Sequence, residues 1–344
     1  MRSYKLRRAA ERLRSQLSNK VAILLYHRIV DLTPDPWSLC VTPRHFSEQL
    51  QVLKKFGRVM RLQELITALG RGRLPKRAVV ITFDDGYADN FSNTRLILER
   101  HGLPATVFVA TGQIESDREF WWDELDKLFL QPRALPQTLD ISINGRTLNV
   151  DLADTANYGE SDYNLHRGWK NWEKPPSQRQ SLYREVYQLL WPLAYSDRRA
   201  ALDQLFKWAG AATDCRASHR PLSTDEIIGL ARDGLIEVGS HTVTHSALSR
   251  IPLEQQRDEI QKSKHHLEEL VNLPVSSFAY PYGRQTDYTD ETIALVKDSG
   301  FVGACSNYPG TVGRGTDPYQ LPRLQVMDWD GDECGKRLSA WFES

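Results

Sequence analysis

No two cysteines in this chain stand close enough to form a metal-binding knuckle. Cys40, Cys215, Cys305 and Cys334 are scattered, with no CxxC and no regular spacing, which argues against a zinc-thiolate site and against a dense disulfide framework. Free thiols are the expectation. Net charge is missing too: 44 Lys and Arg balance 44 Asp and Glu, so no overall field draws the chain to nucleic acid or to anionic lipid. Long apolar runs are also absent. The start, "MRSYKLRRAAERLRSQLSNKVAILLYHRI", is basic, but its apolar stretch lasts only from Val21 to Tyr26 before His27 and Arg28 break it. That is neither a signal-peptide core nor a membrane span. A cytoplasmic location is the expectation, with residues 1–18 as a basic arm capable at most of peripheral membrane contact. Internal repeats and low-complexity tracts are lacking.

What the chain does have is material for a sizeable core: 344 residues, 40% hydrophobic and 26% charged, the balance of a globular protein. Short apolar runs alternate with helical patterns. Candidate strands are Lys20–Tyr26, Arg58–Met60, Ala78–Phe83, Ala105–Val109, Leu235–Gly239, Val275–Ala279, Phe301–Ala304 and Arg323–Val326. Between them, Thr42 and Pro43 open a helix with Phe46, Leu50 and Leu53 on one face and Gly57 as its stop, and Leu253–Val271 predicts another. Strands separated by helices pair in parallel, because a parallel crossover needs about a dozen residues. The predicted architecture is an α/β fold, a distorted (β/α)7–8 barrel, with an open doubly wound sheet as the alternative.

One stretch breaks that rhythm. Residues 131–218 read as an α+β insertion carried by a barrel of 19–130 and 219–344. Within it, "LDISINGRTLNVDL" predicts a hairpin turning on Asn144-Gly145, and Ser177–Leu190 and Ser196–Trp208 predict helices. Tyr158, Tyr163, Trp169 and Trp172 form an aromatic cluster suited either to a glycan lid or to packing of the insertion itself.

The chemistry gathers at two strand ends. "VVITFDDGYADN", Val79 to Asn90, runs from a buried strand straight into Asp84, Asp85 and Gly86. Alone, the doublet reads as a turn. "LIEVGSHTVTHSALSR" puts His241 and His245, four residues apart, just past a second strand, a spacing that lets two imidazoles converge on one ion. In a parallel barrel all strand carboxyl ends share one face, where catalytic groups collect. Two histidines and one carboxylate make a facial metal set with open positions. A cation also offsets repulsion within the Asp pair, keeping both ionised, so that one Asp binds metal and the other accepts a proton.

These residues resemble the NodB-homology polysaccharide deacetylases, carbohydrate esterase family four. "TFDDG" at Thr82–Gly86 and "HTVTH" at His241–His245 look like the family's first two motifs, and "FAYPYG" at Phe278–Gly283 is similar to the third. The resemblance implies that Asp84 is the catalytic base, that Asp85, His241 and His245 hold a divalent metal, and that the Tyr282 backbone N–H stabilises the oxyanion. Zinc is the expected metal, with cobalt, nickel, manganese or iron as alternatives. The sequence departs from the family twice. Ala279 stands where the third motif commonly has an Arg, and Arg323 in "QLPRLQV" is the candidate to orient the base instead, or else a surface or structural ion pair. No histidine follows His266. "AILLYHRI" looks like the family's last motif moved to the front, as in circularly permuted members, which makes His27 the general acid.

The expected activity is removal of N-acetyl or N-formyl groups from an amino sugar, since a dedicated acid serves an amine leaving group more than an alcohol. An N-acetylated glycan, a lipid-linked sugar or a nucleotide sugar is the substrate class. A silent carbohydrate-binding module, an O-acetyl esterase and an iron oxygenase are the rivals. Trp122, Asp123 and Tyr280 are the candidate substrate contacts, with core packing the favoured alternative for Trp122, a helix cap for Asp123, and Tyr280 left open between the two. Asp89 and Asn90 read as residues that start the following helix.

Overall fold

Two six-residue strands, Val21–Tyr26 and Ala78–Phe83, are buried along their whole length, as strands of a parallel sheet covered on both faces must be. The computed structural model describes residues 19–343, so the basic arm read over residues 1–18 lies outside the described residues. The chain divides into two compact units: Met1–Val30, Cys40–Gly112 and Leu222–Ser344 form the first, and Asp31–Leu39 with Gln113–Pro221 the second.

The first unit is built on an eight-stranded sheet. Its order is Gly303–Cys305, Ser277–Ala279, Ile236–Ser240, Ala105–Val109, Ala78–Phe83, Val21–Tyr26 and Leu324–Gln325, with Arg58–Val59 paired to the start of Ala78–Phe83. All of these pairings are parallel. The two edges are joined through the segment before Leu324: Leu321 bridges Cys305, its N–H donates to Ala304 O, and Ser306 N–H donates to Leu321 O. This is the curled sheet of a distorted (β/α)7–8 barrel. The strand expected over Arg323–Val326 shortens to Leu324–Gln325 because the residues before it are drawn to the opposite edge.

Helices flank the strands as the sequence patterns require. Thr42 Oγ1 accepts from His45 N–H at the start of Pro43–Phe56, which buries Phe46, Leu50 and Leu53. A shorter helix, Leu62–Gly70, turns Leu62, Leu65 and Ile66 onto Val21, Ile23, Ala78, Val80 and Phe108. Ile66 also lies where a side chain on Gly303, the first residue of its strand, would be. This helix therefore fills the interior at the amino ends of the strands and leaves the carboxyl ends for chemistry.

The second unit contains the hairpin Thr138–Ile143 and Arg146–Asp151, turning on Asn144 (φ 48°) and Gly145 (φ 76°), the paired positive angles that a two-residue turn demands. Helices Trp121–Phe129, Gln178–Leu190 and Tyr195–Ala209 accompany it. Two buried arginines close helix ends here. Arg179 donates to Phe129 O, and Arg198 donates to Leu190 O and Leu193 O, satisfying carbonyls left open at helix C-termini. The unit is wider than 131–218. It takes in Trp121–Phe129, whose Glu124 pairs with Arg118 and Arg199, and the segment 31–39, where Trp37 donates to Tyr183 and Lys170 bonds Asp35.

Candidate active site

The backbone bends into an uncommon conformation at each functional loop of the first unit. Asp85 (φ 75°), Thr242 (φ 67°), His245 (φ 54°) and Tyr282 (φ 59°) all lie in the left-handed region, which costs a residue with a Cβ about 1–3 kcal/mol and marks sites where surrounding contacts impose the shape. Around Asp85, those contacts are Asp84 N–H to Tyr26 O at 3.0 Å and Ala110 N–H to Asp85 O at 3.2 Å. Gly86 follows at φ 86°, with Val109 so near that a side chain would crowd it.

The histidine loop is held from another helix. Glu259, on Leu253–Val271, accepts from the N–H groups of Val243 and Thr244 and from Thr244 Oγ1 at 2.9, 2.8 and 2.6 Å. His241 follows the strand Ile236–Ser240, and its Nδ1 lies 2.8 Å from Ala279 O. A carbonyl only accepts, so Nδ1 carries the proton and Nε2 presents its lone pair. Ala279, which lacks the side chain expected in the third motif, thus contributes through its main chain.

Asp85, His241 and His245 are buried, and their ligand atoms all lie within 4.8 Å of one another. Asp85 Oδ1 is 3.2 Å from His245 Nε2 and 3.6 Å from His241 Nε2. Donors about 2.0–2.2 Å from a zinc ion sit at about this separation. The charges agree with a cation: burial pushes the Asp85 carboxyl up, with Asp84 adding to that, while burial brings His241 down to about 4, leaving it a neutral ligand. The residues therefore fit a divalent ion.

Asp84 faces differently. Arg323 donates from its two terminal nitrogens to Asp84 Oδ1 and Oδ2 at 2.7 and 2.6 Å, and from Nε to Ser306 O at 2.7 Å. Both partners are buried, so the pair is not on the surface. Burial raises the Asp84 pKa, but the guanidinium and then His241 outweigh it and hold the carboxyl at about 2. Asp84 is ionised across the physiological range.

His27 sits in the break between Val21–Tyr26 and the short strand Arg28–Ile29. Burial lowers its pKa, while the charges of Asp85 and Asp84 oppose that shift, so it senses both carboxylates. The Tyr282 ring meets His245 edge-on at 4.8 Å. Asp84, Asp85, His27, His241, His245, Tyr282 and Arg323 all belong to the first unit.

Of the substrate contacts read from sequence, Tyr280 belongs to the first unit and Trp122 and Asp123 to the second. Tyr280 is 1% exposed, stacks on Tyr288 at 4.0 Å and donates its hydroxyl to Tyr319 O. Packing has consumed it. Trp122 is 6% exposed, stacked on Phe120 at 4.8 Å in the second unit. Its neighbour Asp123 lies in the first turn of the same helix, and its main-chain oxygen accepts from Arg216. Asp89 does not cap the helix that follows: its carboxylate takes Arg28 and Ile29 N–H. No local signal marks this, since Arg28 lies 61 residues earlier in the chain.

Comparison with known proteins agrees with the geometry. The family model described as polysaccharide deacetylase matches residues 71–132 and 204–304, which include Asp84, Asp85, His241, His245 and Tyr282 and leave out His27 and Arg323. A poly-beta-1,6-N-acetyl-D-glucosamine N-deacetylase of Staphylococcus epidermidis is 36% identical over 77 residues, 22% of this chain and 27% of that protein. The matched segment thus spans only part of the length of that curated relative. Among solved structures, the Streptococcus pyogenes deacetylase PplD in complex with acetate aligns with a TM-score of 0.58 at 19% identity, covering 95% of this chain and 100% of that one. IcaB from Ammonifex degensii aligns at 0.57 and 18% identity, over 94% and 97%. At these identities the two structures share the fold with this chain.

Proposed function

We propose that this chain, which carries a polysaccharide deacetylase domain, is a metal-dependent hydrolase that removes N-acetyl or N-formyl groups from an amino sugar of a surface polysaccharide or glycoconjugate. One observation carries this assignment: adjacent carboxylates held for different tasks, Asp85 toward two histidine nitrogens and Asp84 toward a buried Arg323. A module that needed only affinity for sugar would gain nothing from a buried, ionised proton acceptor beside a metal-ligand set.

The steps follow from those placements. Asp85, His241 and His245 would hold a divalent ion, zinc first among the candidates, which when bound would supply Lewis acidity to the acyl carbonyl and lower a water's pKa toward about 7. Asp84, ionised by its pairing, accepts the proton of the attacking water. The Tyr282 N–H is assigned to the oxygen that gains charge as the carbonyl becomes tetrahedral. His27 gives a proton to the departing nitrogen as the C–N bond breaks, releasing acetate and a free amino sugar. An amine leaves poorly without that proton, which favours an amide over an ester. The staphylococcal relative, a poly-beta-1,6-N-acetyl-D-glucosamine N-deacetylase, supports a polymeric glycan as the substrate.

The test is acetate release from N-acetylglucosamine oligomers by the full chain, before and after dipicolinate treatment and again after zinc is returned. Loss followed by recovery is expected. Release that ignores the chelator overturns metal dependence, and tight binding with no release from any acetylated glycan identifies a binding module instead.

A further inference from the structure

The segment that carries the proposed base also determines where the proposed acid stands. Tyr26, His27, Arg28 and Ile29 are each tied to the stretch from Asp84 to Asn93. Tyr26 O accepts from Asp84 N–H at 3.0 Å. His27 O accepts from Asn90 Nδ2 at 2.9 Å. Arg28 donates from two guanidinium nitrogens to Asp89 Oδ2 at 3.0 and 2.9 Å and lies over the Tyr87 ring, 4.1 Å from its centre. Ile29 N–H donates to Asp89 Oδ1 at 2.9 Å, and Ile29 O accepts from Asn93 Nδ2 at 2.8 Å.

These groups are buried: Asn90 and Tyr87 are 0% exposed, Arg28 2% and Asp89 7%. The chain pays for the arrangement in its own backbone, because Asn90–Arg95 is wound as a π-helix before the ordinary helix Leu96–His101 begins. Single π turns are rare and occur mostly at functional sites. Here the turn presents Asn90 to His27 and Asn93 to the short strand that follows it. A helix start needs none of this.

We infer that Asp89 and Asn90 are positioning residues which fix the distance from His27 to Asp84, so that one loop sets both the acid and the base. This rests on the roles given to His27 and Asp84 under the proposed function. Asn90 holds the carbonyl of His27 itself, and Asp89 locks the two residues that follow, leaving the imidazole as the side chain of a clamped main chain.

The experiment compares an amide with an ester that needs no acid. Acetate release from N-acetylglucosamine oligomers and hydrolysis of 4-nitrophenyl acetate are measured for the parent chain, Asn90→Ala, Asp89→Asn, His27→Ala and the double variant of Asn90 and His27. A displaced acid lowers the amide rate about 100-fold more than the ester rate, the scale on which a shift of about 1 Å acts. Because Asn90 acts through His27, the double variant falls no further than His27→Ala alone. Equal losses on both substrates, or losses that multiply in the double variant, overturn the inference and make the clamp a matter of stability. Thermal melting identifies any variant that has not folded, and Asn93→Ala, at the less buried end of the clamp, then gives the same ratio. A parent chain that cleaves the amide well whether or not His27 is present overturns the functional assignment itself.

Discussion

Arg323 and Asp84, 239 residues apart in sequence, meet as a two-pronged buried ion pair with both contacts at or below 2.7 Å. Arg323→Met leaves a buried carboxylate without its counter-charge, a change that costs about 3–5 kcal/mol in comparable buried pairs. The folded-state pKa of Asp84, about 2, lies below the usual carboxylate value. Its stabilising contribution is therefore complete above the unfolded pKa and lost as pH falls through about 2. In Arg323→Met, burial acts unopposed by the guanidinium, so the acid limb of the deacetylation profile moves to higher pH. A pH–rate profile of both proteins checks this, and an unmoved limb contradicts it.

The two aspartates should separate under substitution. On the proposed roles, Asp84→Asn keeps the metal ligands and loses the proton acceptor, so zinc stoichiometry by elemental analysis stays at the parent value while activity falls by about 100-fold or more. His241→Ala removes a ligand, and zinc content falls with activity. Loss of zinc from Asp84→Asn would place that residue among the ligands.

Glu259 touches no ligand atom, yet it accepts three hydrogen bonds from the loop between the histidines. Glu259→Gln replaces one accepting oxygen by a donor facing N–H groups. Zinc affinity, measured by calorimetric titration, is expected to weaken about 10–100-fold, as for other outer partners of metal-binding loops.

Leu65 is fully buried in the group that fills the amino end of the barrel. Leu65→Ala should destabilise the chain by about 2–5 kcal/mol through lost transfer energy and the cavity left behind. Urea unfolding measures this, with the midpoint shifting and the slope constant. The site lies at the carboxyl ends, so the rate of the folded fraction should hold.

Asp126 offers a pH effect in the second unit. Burial pushes its carboxyl up to about 6, against the opposing charge of Arg216. Because the folded state binds this proton more tightly than the unfolded state, the contribution falls as pH rises from about 4 to about 6. Seven of the nine tryptophans, Trp37, Trp121, Trp122, Trp169, Trp172, Trp191 and Trp208, belong to this unit, so their fluorescence follows its unfolding. Asp126→Asn should flatten the dependence in that window, and an unchanged slope would assign it to another group.

Much of the barrel was legible in the sequence because its strands are short, continuously apolar and bounded by helices with clear caps. The motif doublets were readable for a related reason: each follows an apolar run directly, so a strand end and a polar pair are adjacent in the chain. What stayed hidden depended on distance or on side-chain direction. Nothing local tells that Arg323 is buried, or that residues 31–39 join the second unit through Trp37. Tyr280 and Trp122 have the chemistry of sugar contacts, and nothing in the sequence shows that they stack on Tyr288 and Phe120. Asp89 resembles a cap until its partner, 61 residues earlier, is seen.

The helix Leu62–Gly70 plugs the amino end of the barrel with Leu62, Leu65 and Ile66, which are 1, 0 and 8% exposed. On the proposed function, a long glycan would then be met side-on at the opposite rim, with one residue turned toward Asp84 and Asp85 while the rest of the strand stays outside.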